Sequence, residues 1–346
     1  MVGKHQNLLS LFSIYVGAVI GAGFATGQEV NQFFAYFGPS GLAGVALAGG
    51  VLIIGGRMLL NLAYQYQLSD YGQSVALLIG PGSTKALDIL ISFFLLASLA
   101  VMISGGGELL STLLKLSRAL ASLLFSAVVV VGISRGIVGL AKINIILMPL
   151  LIVVSLALVI DRFFLTVPTL TLSLSRVRLV LLPNWWVAAI LYSSLNLGIV
   201  FTVFSSLGST IPDRATATRT GTWAGLTLSL LLAIFCGGIL HTPGADQVAI
   251  PLAYLAAQGS TATYLAYISL LFMAMLTSAI ATAFALVNRL RANNCGAWVE
   301  GGTMVLAWLV AQGGFAELVG TVYPVYGYFW GVMLIIILVR RILQVV

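Results

Sequence analysis

The sequence is short of charge. It has 9 Asp and Glu and 16 Lys and Arg, a charged fraction of 7%, against about 25% in an ordinary soluble domain. So few charges cannot cover the surface of a water-soluble protein of 346 residues. This excludes a soluble enzyme, a nucleic-acid-binding protein and a disordered chain. Histidine is scarce: only His5 and His241 are present, both near the ends of apolar runs. No nucleophile or metal constellation accompanies them, so an enzyme is not expected. Cysteine is limited to Cys236 and Cys295. The first is expected near the outer end of a span and the second in an inner loop, so they cannot pair.

What the chain has in abundance is apolar sequence. Hydrophobic residues make up 60% of it, and mean hydropathy is +1.10. The runs are continuous rather than alternating, which excludes a membrane β-barrel and leaves an all-α bundle of membrane helices. A bilayer core about 30 Å thick takes about 20 apolar residues per helix. Ten segments are read as spans: 8–36, 41–65, 84–113, 119–133, 137–160, 184–207, 218–241, 260–290, 296–312 and 316–339. The first is too long for the core of a cleavable signal peptide. One long connection, 161–183, carries Arg162, Pro168, Arg176, Arg178 and Pro183; the stretch 241–259 reads as a short re-entrant or surface helix. With the N-terminus in the cytoplasm, eleven Lys and Arg lie inside and five outside. The inner set is Lys4, Arg57, Lys85, Arg135, Lys142, Arg214, Arg219, Arg289, Arg291, Arg340 and Arg341; the outer set is Lys115, Arg118, Arg162, Arg176 and Arg178. That is the bias of the positive-inside rule, and it places both termini in the cytoplasm. The net charge of +7 is this orientation signal, not a nucleic-acid footprint.

Sliding the sequence along itself by 177 residues aligns Tyr15 with Tyr192, Gly21 with Gly198 and Phe24 with Phe201. Further on, Gly82-Ser83-Thr84 falls on Gly259-Ser260-Thr261, Ile91-Ser92 on Ile268-Ser269, and Ala97, Leu99 and Ile103 on Ala274, Leu276 and Ile280. Eight identities in 22 positions exceed the two or three, roughly, that shared apolar composition gives. Five spans per half is an odd number, so the halves 1–160 and 184–346, joined by 161–183, have opposite orientations. This is an inverted repeat, in which substrate sites form near the midplane where the first helix of each half breaks. Breaks are therefore expected in spans 1 and 6.

Span 1 supports this. It holds Gly17, Gly21, Gly23 and Gly27 within eleven residues, each weakening a helix by about 1 kcal/mol relative to Ala. An unwound stretch offers carbonyls to a cation and a half-helix N-terminus to an anion. The alternative use of Gly17-xxx-Gly21 is close helix packing. Span 6 carries Tyr192, Ser193, Ser194 and Asn196 before Gly198, a mid-span polar cluster that should face the protein interior. In span 8, Thr277 and Ser278 present adjacent hydroxyls, oxygen ligands suited to a hard cation such as Na⁺. They can equally bond carbonyls of their own helix.

The pattern Ala274-x-x-Thr277-Ser278-x-Ile280-Ala281 resembles the sodium-site segment of the neurotransmitter:sodium symporters and their LeuT-fold relatives. That resemblance implies a sodium site formed by the carbonyls of Gly17, Ile20 and Ala274 with the hydroxyls of Thr277 and Ser278. Gly139 to Pro149 is similar to that family's fifth span, an element implied to unwind and hydrate the ion from inside. Met148-Pro149 stands at about the depth where several proton-coupled LeuT-fold carriers place a lysine, and Lys142 lies nearer the cytoplasm, which favours Na⁺. Phe24 stands where those symporters carry a ligand for a second sodium, and Gly27 where they carry an outer-gate arginine, so one sodium is implied. Over its whole length the chain is similar to the bacterial YkvI-like branch of the amino acid–polyamine–organocation superfamily, whose first span resembles Gly21 to Glu29. This implies a bacterial plasma (inner) membrane. The Asp-Pro-x-Asn break of the divalent-metal carriers of this fold is absent, which argues against a metal substrate.

The expected solute site comprises Gly21, Ala22, Gly23, Phe24 and Ala25 of span 1 and Tyr192, Ser193, Ser194 and Asn196 of span 6. Glu29 and Glu108 are expected to line or gate the outer vestibule or to carry a proton. Asp88 is expected to pair with Lys85 one turn away. The leading expectation is a sodium-coupled symporter of an amino acid or similar small carboxylate-bearing solute, with no cofactor beyond the coupling sodium. A proton-coupled or uncoupled carrier using Glu29 or Glu108 stays open, as does a non-transporting ligand sensor on the same scaffold.

Overall fold

A computed structural model describes residues 6–78, 80, 82–134, 140–165, 181–292 and 299–343. Lys4, His5, Arg135, Gly139, Pro168, Arg176, Arg178 and Cys295 lie outside the described residues, as do the side chains of Lys85, Lys142 and Arg162. The described chain is all helix and turn, with no strand. The expected first span is three pieces: α1 (Leu8–Val19), α2 (Ala22–Ala25) and α3 (Gln28–Phe33). After them come α4 (Pro39–Gln65), α5 (Tyr71–Leu78), α6 (Ser83–Leu114), α7 (Arg118–Ser134) and α8 (Leu140–Leu165). The second half contains α9 (Trp185–Phe204), α10 (Arg214–His241), α11 (Pro251–Ala257), α12 (Thr261–Ala292), α13 (Val299–Ala311) and α14 (Phe315–Ile342). The ten expected spans lie within a few residues of these helices, and α11 is the short helix expected in 241–259. Helix α5 was not expected.

The helices start where the sequence supplies caps. Asn7, Asn184 and Asp213 accept the N–H of Ser10 (2.8 Å), Val187 (3.1 Å) and Thr216 (2.7 Å) at the starts of α1, α9 and α10, and Pro39 and Pro251 open α4 and α11. Among the described residues six helices, α4, α6, α9, α10, α12 and α14, are long and apolar enough to cross a bilayer by themselves. Ile54, Ile146, Leu230 and Ile335 are exposed on the outer faces of α4, α8, α10 and α14, a surface suited to lipid rather than water.

Helices α4 and α10 pack through small residues. A Cβ on Gly221 would lie 2.6 Å from the Arg57 backbone nitrogen, and one on Gly225 2.7 Å from Ile53 Cγ1. This is the close backbone approach that glycine permits in membrane bundles. Backbone cannot move aside as a side-chain tip can. Gly221→Ala is therefore expected to destabilise the protein by about 1–3 kcal/mol, measured as a lower melting temperature in detergent. An unchanged melting temperature would contradict the packing.

One expectation needs correction. Span 6 is not broken: α9 runs without interruption through Tyr192 to Gly198. Its polar side chains bond the carbonyls one turn back, Ser193 to Ala189 (2.8 Å), Asn196 to Tyr192 (2.8 Å) and Thr202 to Gly198 (2.9 Å), which is compatible with a continuous helix. Gly198 seats the Trp330 indole of α14 rather than opening the backbone. The expected pairing of Asp88 with Lys85 lies outside the described side chains; among those described, Asp88 pairs with Arg289 of α12, an ion pair between helices.

Candidate functional site

The break in span 1 is two steps long. Ile20 leaves the helix at ψ 96° while its N–H still reaches the Val16 carbonyl (2.8 Å). Gly21 is extended, at φ −103° and ψ −177°, and its N–H turns to Val19 (3.1 Å). No described residue donates to the carbonyls of Gly17, Ala18 or Ile20. A Cβ on Gly17 or Gly21 would meet nothing within 4 Å. These glycines therefore do not serve close helix packing, in contrast to Gly221. The break reading is the one the geometry supports.

Neighbours hold the short α2 in place. The Thr26 hydroxyl donates to the Gly23 carbonyl (2.5 Å) and accepts the Gln28 N–H (3.0 Å). Tyr267 of α12, fully buried, donates to the Ala25 carbonyl (2.6 Å). The end of this segment beyond α2 is covered by the chain between α10 and α12. There the Leu252 N–H bonds the Thr26 carbonyl (3.0 Å), and Asn31 Nδ2 bonds the Asp246 carbonyl (3.0 Å).

A cavity of about 130 Å³ opens at this break. One wall is the break itself, with Ala18, Val19, Gly21, Ala22 and Gly23. Glu29 reaches into it from α3, and Asn196 with Leu195 and Ile199 from α9. Helix α12 supplies Ser278 and Thr282, α14 supplies Tyr323, and α6 supplies Phe94, Ser98 and Met102. Among the described residues Glu29 is the one charged side chain in this lining. It is 6% exposed, and its carboxylate lies against Gly23, where a Cβ would overlap Oε1 and stand 3.1 Å from the Tyr323 hydroxyl.

The cavity thus gathers Gly21, Ala22, Gly23, Asn196, Ser278 and Glu29 from the expected residues. Others lie elsewhere. Phe24 packs on Phe235 (ring centroids 5.2 Å apart), and the Ala25 carbonyl is taken by Tyr267. Tyr192 stands edge-on between Phe33 and Phe34 (5.4 and 5.1 Å), its buried hydroxyl without a hydrogen-bond partner. Ser193 is spent on the carbonyls of Ala189 and Ala48, and Ser194 is buried near Gly331. Glu108 sits apart, in a pocket of about 40 Å³ with Ser104, Ser122 and Gln312, paired with Arg118 at 3.0 Å. Phe94, Ser98, Met102, Thr282 and Tyr323 were not foreseen. Thr282 follows Ser278 by one helical turn, a signal the sequence did carry.

Of the five expected sodium ligands, Ser278 lines the cavity, while Gly17, Ile20, Ala274 and Thr277 are not in its described lining. The carbonyls of Gly17 and Ile20 have no described donor, and Ser278 shares the cavity with Ala18 and Val19. Thr277 is buried and donates to the Ala274 carbonyl at 3.1 Å. Among the described residues no three His, Cys, Asp or Glu side chains converge into a metal cage.

No protein-family model matches the chain. Two proteins of Bacillus subtilis strain 168 are similar to it. The uncharacterized membrane protein YkvI is 26% identical over 319 residues, 91% of this chain and 90% of that protein. The uncharacterized protein YyaD is 28% identical over 338 residues, 96% of each. Among solved structures, MhsT in complex with L-phenylalanine superposes on 96% of this chain and 89% of its own, with a TM-score of 0.54 and 17% identity. A mutant of the Eremococcus coleocola manganese transporter covers 95% and 71%, with a TM-score of 0.49 and 17% identity. The likeness to MhsT shows the fold: this is a multi-pass, all-α membrane protein of LeuT-like transporter architecture.

Proposed function

We propose that this chain is a sodium-coupled symporter of an amino acid or similar small carboxylate-bearing solute. The observation that carries the reading is the cavity at the interrupted first span, whose lining joins Ala18, Val19 and Gly21 of the break to Ser278 of α12, and the Ala18 carbonyl has no described donor. The fold likeness to MhsT, whose solved complex holds L-phenylalanine, supports a solute of amino-acid type. Sodium held by Gly17, Ile20, Ala274, Thr277 and Ser278 would tie span 1 to α12. The solute would bind beside it, against Gly21 to Gly23 and Asn196. Rocking of the spans formed by α1–α3, α4, α9 and α10 against the rest would then alternate access. The protein would work in a bacterial plasma membrane with both termini cytoplasmic, the orientation the basic-residue bias favours.

The test is uptake into proteoliposomes of the twenty amino acids and their 2-hydroxy-acid counterparts, with an inward Na⁺ gradient or with K⁺ in its place. The expected result is Na⁺-stimulated uptake that Thr277→Ala with Ser278→Ala abolishes, apparent Na⁺ affinity falling at least about tenfold, or 1.4 kcal/mol. Uptake equal in K⁺ would overturn sodium coupling. One observation favours a second reading: Glu29 reaches the cavity with no described cationic partner, a position from which a carboxyl can carry a proton. In that case a pH gradient without Na⁺ drives uptake, and Glu29→Gln abolishes the drive.

A further inference from the structure

We infer that Glu29 is the anchor for a protonated amine, so that the solute is a compact primary ammonium compound and not an amine-free carboxylate. The inference rests on the transport-site reading above and deepens it.

The argument begins with charge. Among the described residues Glu29 is the one charged group lining the cavity, and it is 6% exposed. Glu108, Asp88 and Glu300 each have an arginine partner, Arg118, Arg289 and Arg291. No described residue forms an ion pair or a hydrogen bond with the carboxylate of Glu29. A single carboxylate held away from water costs several kcal/mol unless a cation joins it. Protonation also removes the charge, but the resulting O–H is a single donor. A ligand ammonium meets both needs at once: it neutralises the charge and supplies up to three donors.

The surroundings point the same way. Tyr323 shares the cavity lining with Glu29, and Tyr192 and Tyr323 both lie within electrostatic reach of it. Among the described residues no cationic side chain lines the cavity, so none of them competes with an arriving ammonium. Asn196, Ser98, Ser278 and Thr282 are left for the other polar end of the solute. Size sets the remaining limit. The 130 Å³ equals about four water molecules at roughly 30 Å³ each. That suits a solute of a handful of heavy atoms.

The experiment is a thermal-shift and equilibrium-binding series on the purified full chain in detergent, with and without Na⁺. The probes are glycine, L-alanine and L-serine, their amine-free counterparts glycolate, L-lactate and L-glycerate, and the carboxylate-free amines ethylamine and ethanolamine. We expect at least one ammonium-bearing probe to bind and the matched hydroxy acid to bind at least tenfold more weakly. Glu29→Gln should reduce affinity for the amine at least tenfold and leave the Na⁺-induced shift in place, and Glu29→Asp should restore part of the affinity. The inference is overturned if lactate binds as well as alanine, if no ammonium-bearing probe binds, or if Glu29→Gln keeps wild-type amine affinity. It is also overturned if Glu29→Gln loses the Na⁺ shift alone, which would make Glu29 an ion ligand. Amine binding through Glu29 with no flux in proteoliposomes would sink the transport reading and leave this assignment standing.

Discussion

Gly23→Ala is expected to leave the protein folded and to abolish solute binding. The two halves of that result have separate physical causes. Gly23 lies within α2 in an ordinary helical conformation, so an added methyl causes no backbone strain. Replacing Gly by Ala at such a site stabilises by about 0.4–1 kcal/mol, through the unfolded chain. The methyl would nevertheless overlap Glu29 Oε1 and press on the Tyr323 hydroxyl 3.1 Å away. The end of a glutamate side chain moves more cheaply than a backbone does, so the carboxylate is displaced from its place in the cavity and the helix stays. Melting temperature should be unchanged or slightly raised, while amine affinity falls at least about tenfold, or 1.4 kcal/mol. Gly50→Ala is the control, because a Cβ there meets nothing within 4 Å and Gly50 lies on α4 away from the cavity. If Gly23→Ala binds and transports as the wild type does, the carboxylate–glycine contact does not matter to function and the site is misplaced. If it unfolds, α2 is held more tightly than the geometry indicates.

The same contact shows what the sequence could and could not reveal. The ten spans were legible because a bilayer demands long apolar runs, and the runs are separated by short polar loops. The break in span 1 was legible because its glycines are too dense for a stable helix. Whether they opened the helix or packed it was not legible, since both uses need the same residue. Only the empty space around Gly17 and Gly21 separates them. Span 6 was misread for a related reason. Serine, threonine and asparagine in mid-membrane can mark an unwound site or bond carbonyls of an intact helix, and in α9 they do the second. Phe24 was placed toward the solute by its nearness to the break. A two-residue interruption rotates everything after it, however, and Phe24 ends against Phe235. Phe94, Ser98 and Tyr323 come from helices whose facing is decided by packing, and no local pattern announced them. Glu29 was legible as an acid in an apolar span, but its neighbours were not.

Gly27→Ala is expected to destabilise the protein clearly, and its cost should divide into two measurable parts. Gly27 adopts φ +78° between α2 and α3. For a residue with a Cβ that conformation costs about 1–2 kcal/mol. The second part is steric: the new methyl would lie 2.9 Å from Leu252 Cγ, with Ile239 and Pro251 each 3.4 Å away. Leu252 also donates its N–H to the Thr26 carbonyl at 3.0 Å, so moving it loosens the cover over the end of the broken span beyond α2. The expected result is a clear fall in melting temperature. The double variant Gly27→Ala with Leu252→Ala tests the division. Truncating Leu252 alone removes a fully buried side chain and should itself cost about 2–5 kcal/mol. If the clash is real, the two changes together should cost less than their sum, by about 0.5–3 kcal/mol, the coupling typical of residues in contact. Strict additivity would mean that α11 does not press on the break. A Gly27→Ala protein as stable as the wild type would mean that the left-handed turn, which sets the direction of α3 and so carries Glu29 to the cavity, is not the conformation the chain adopts.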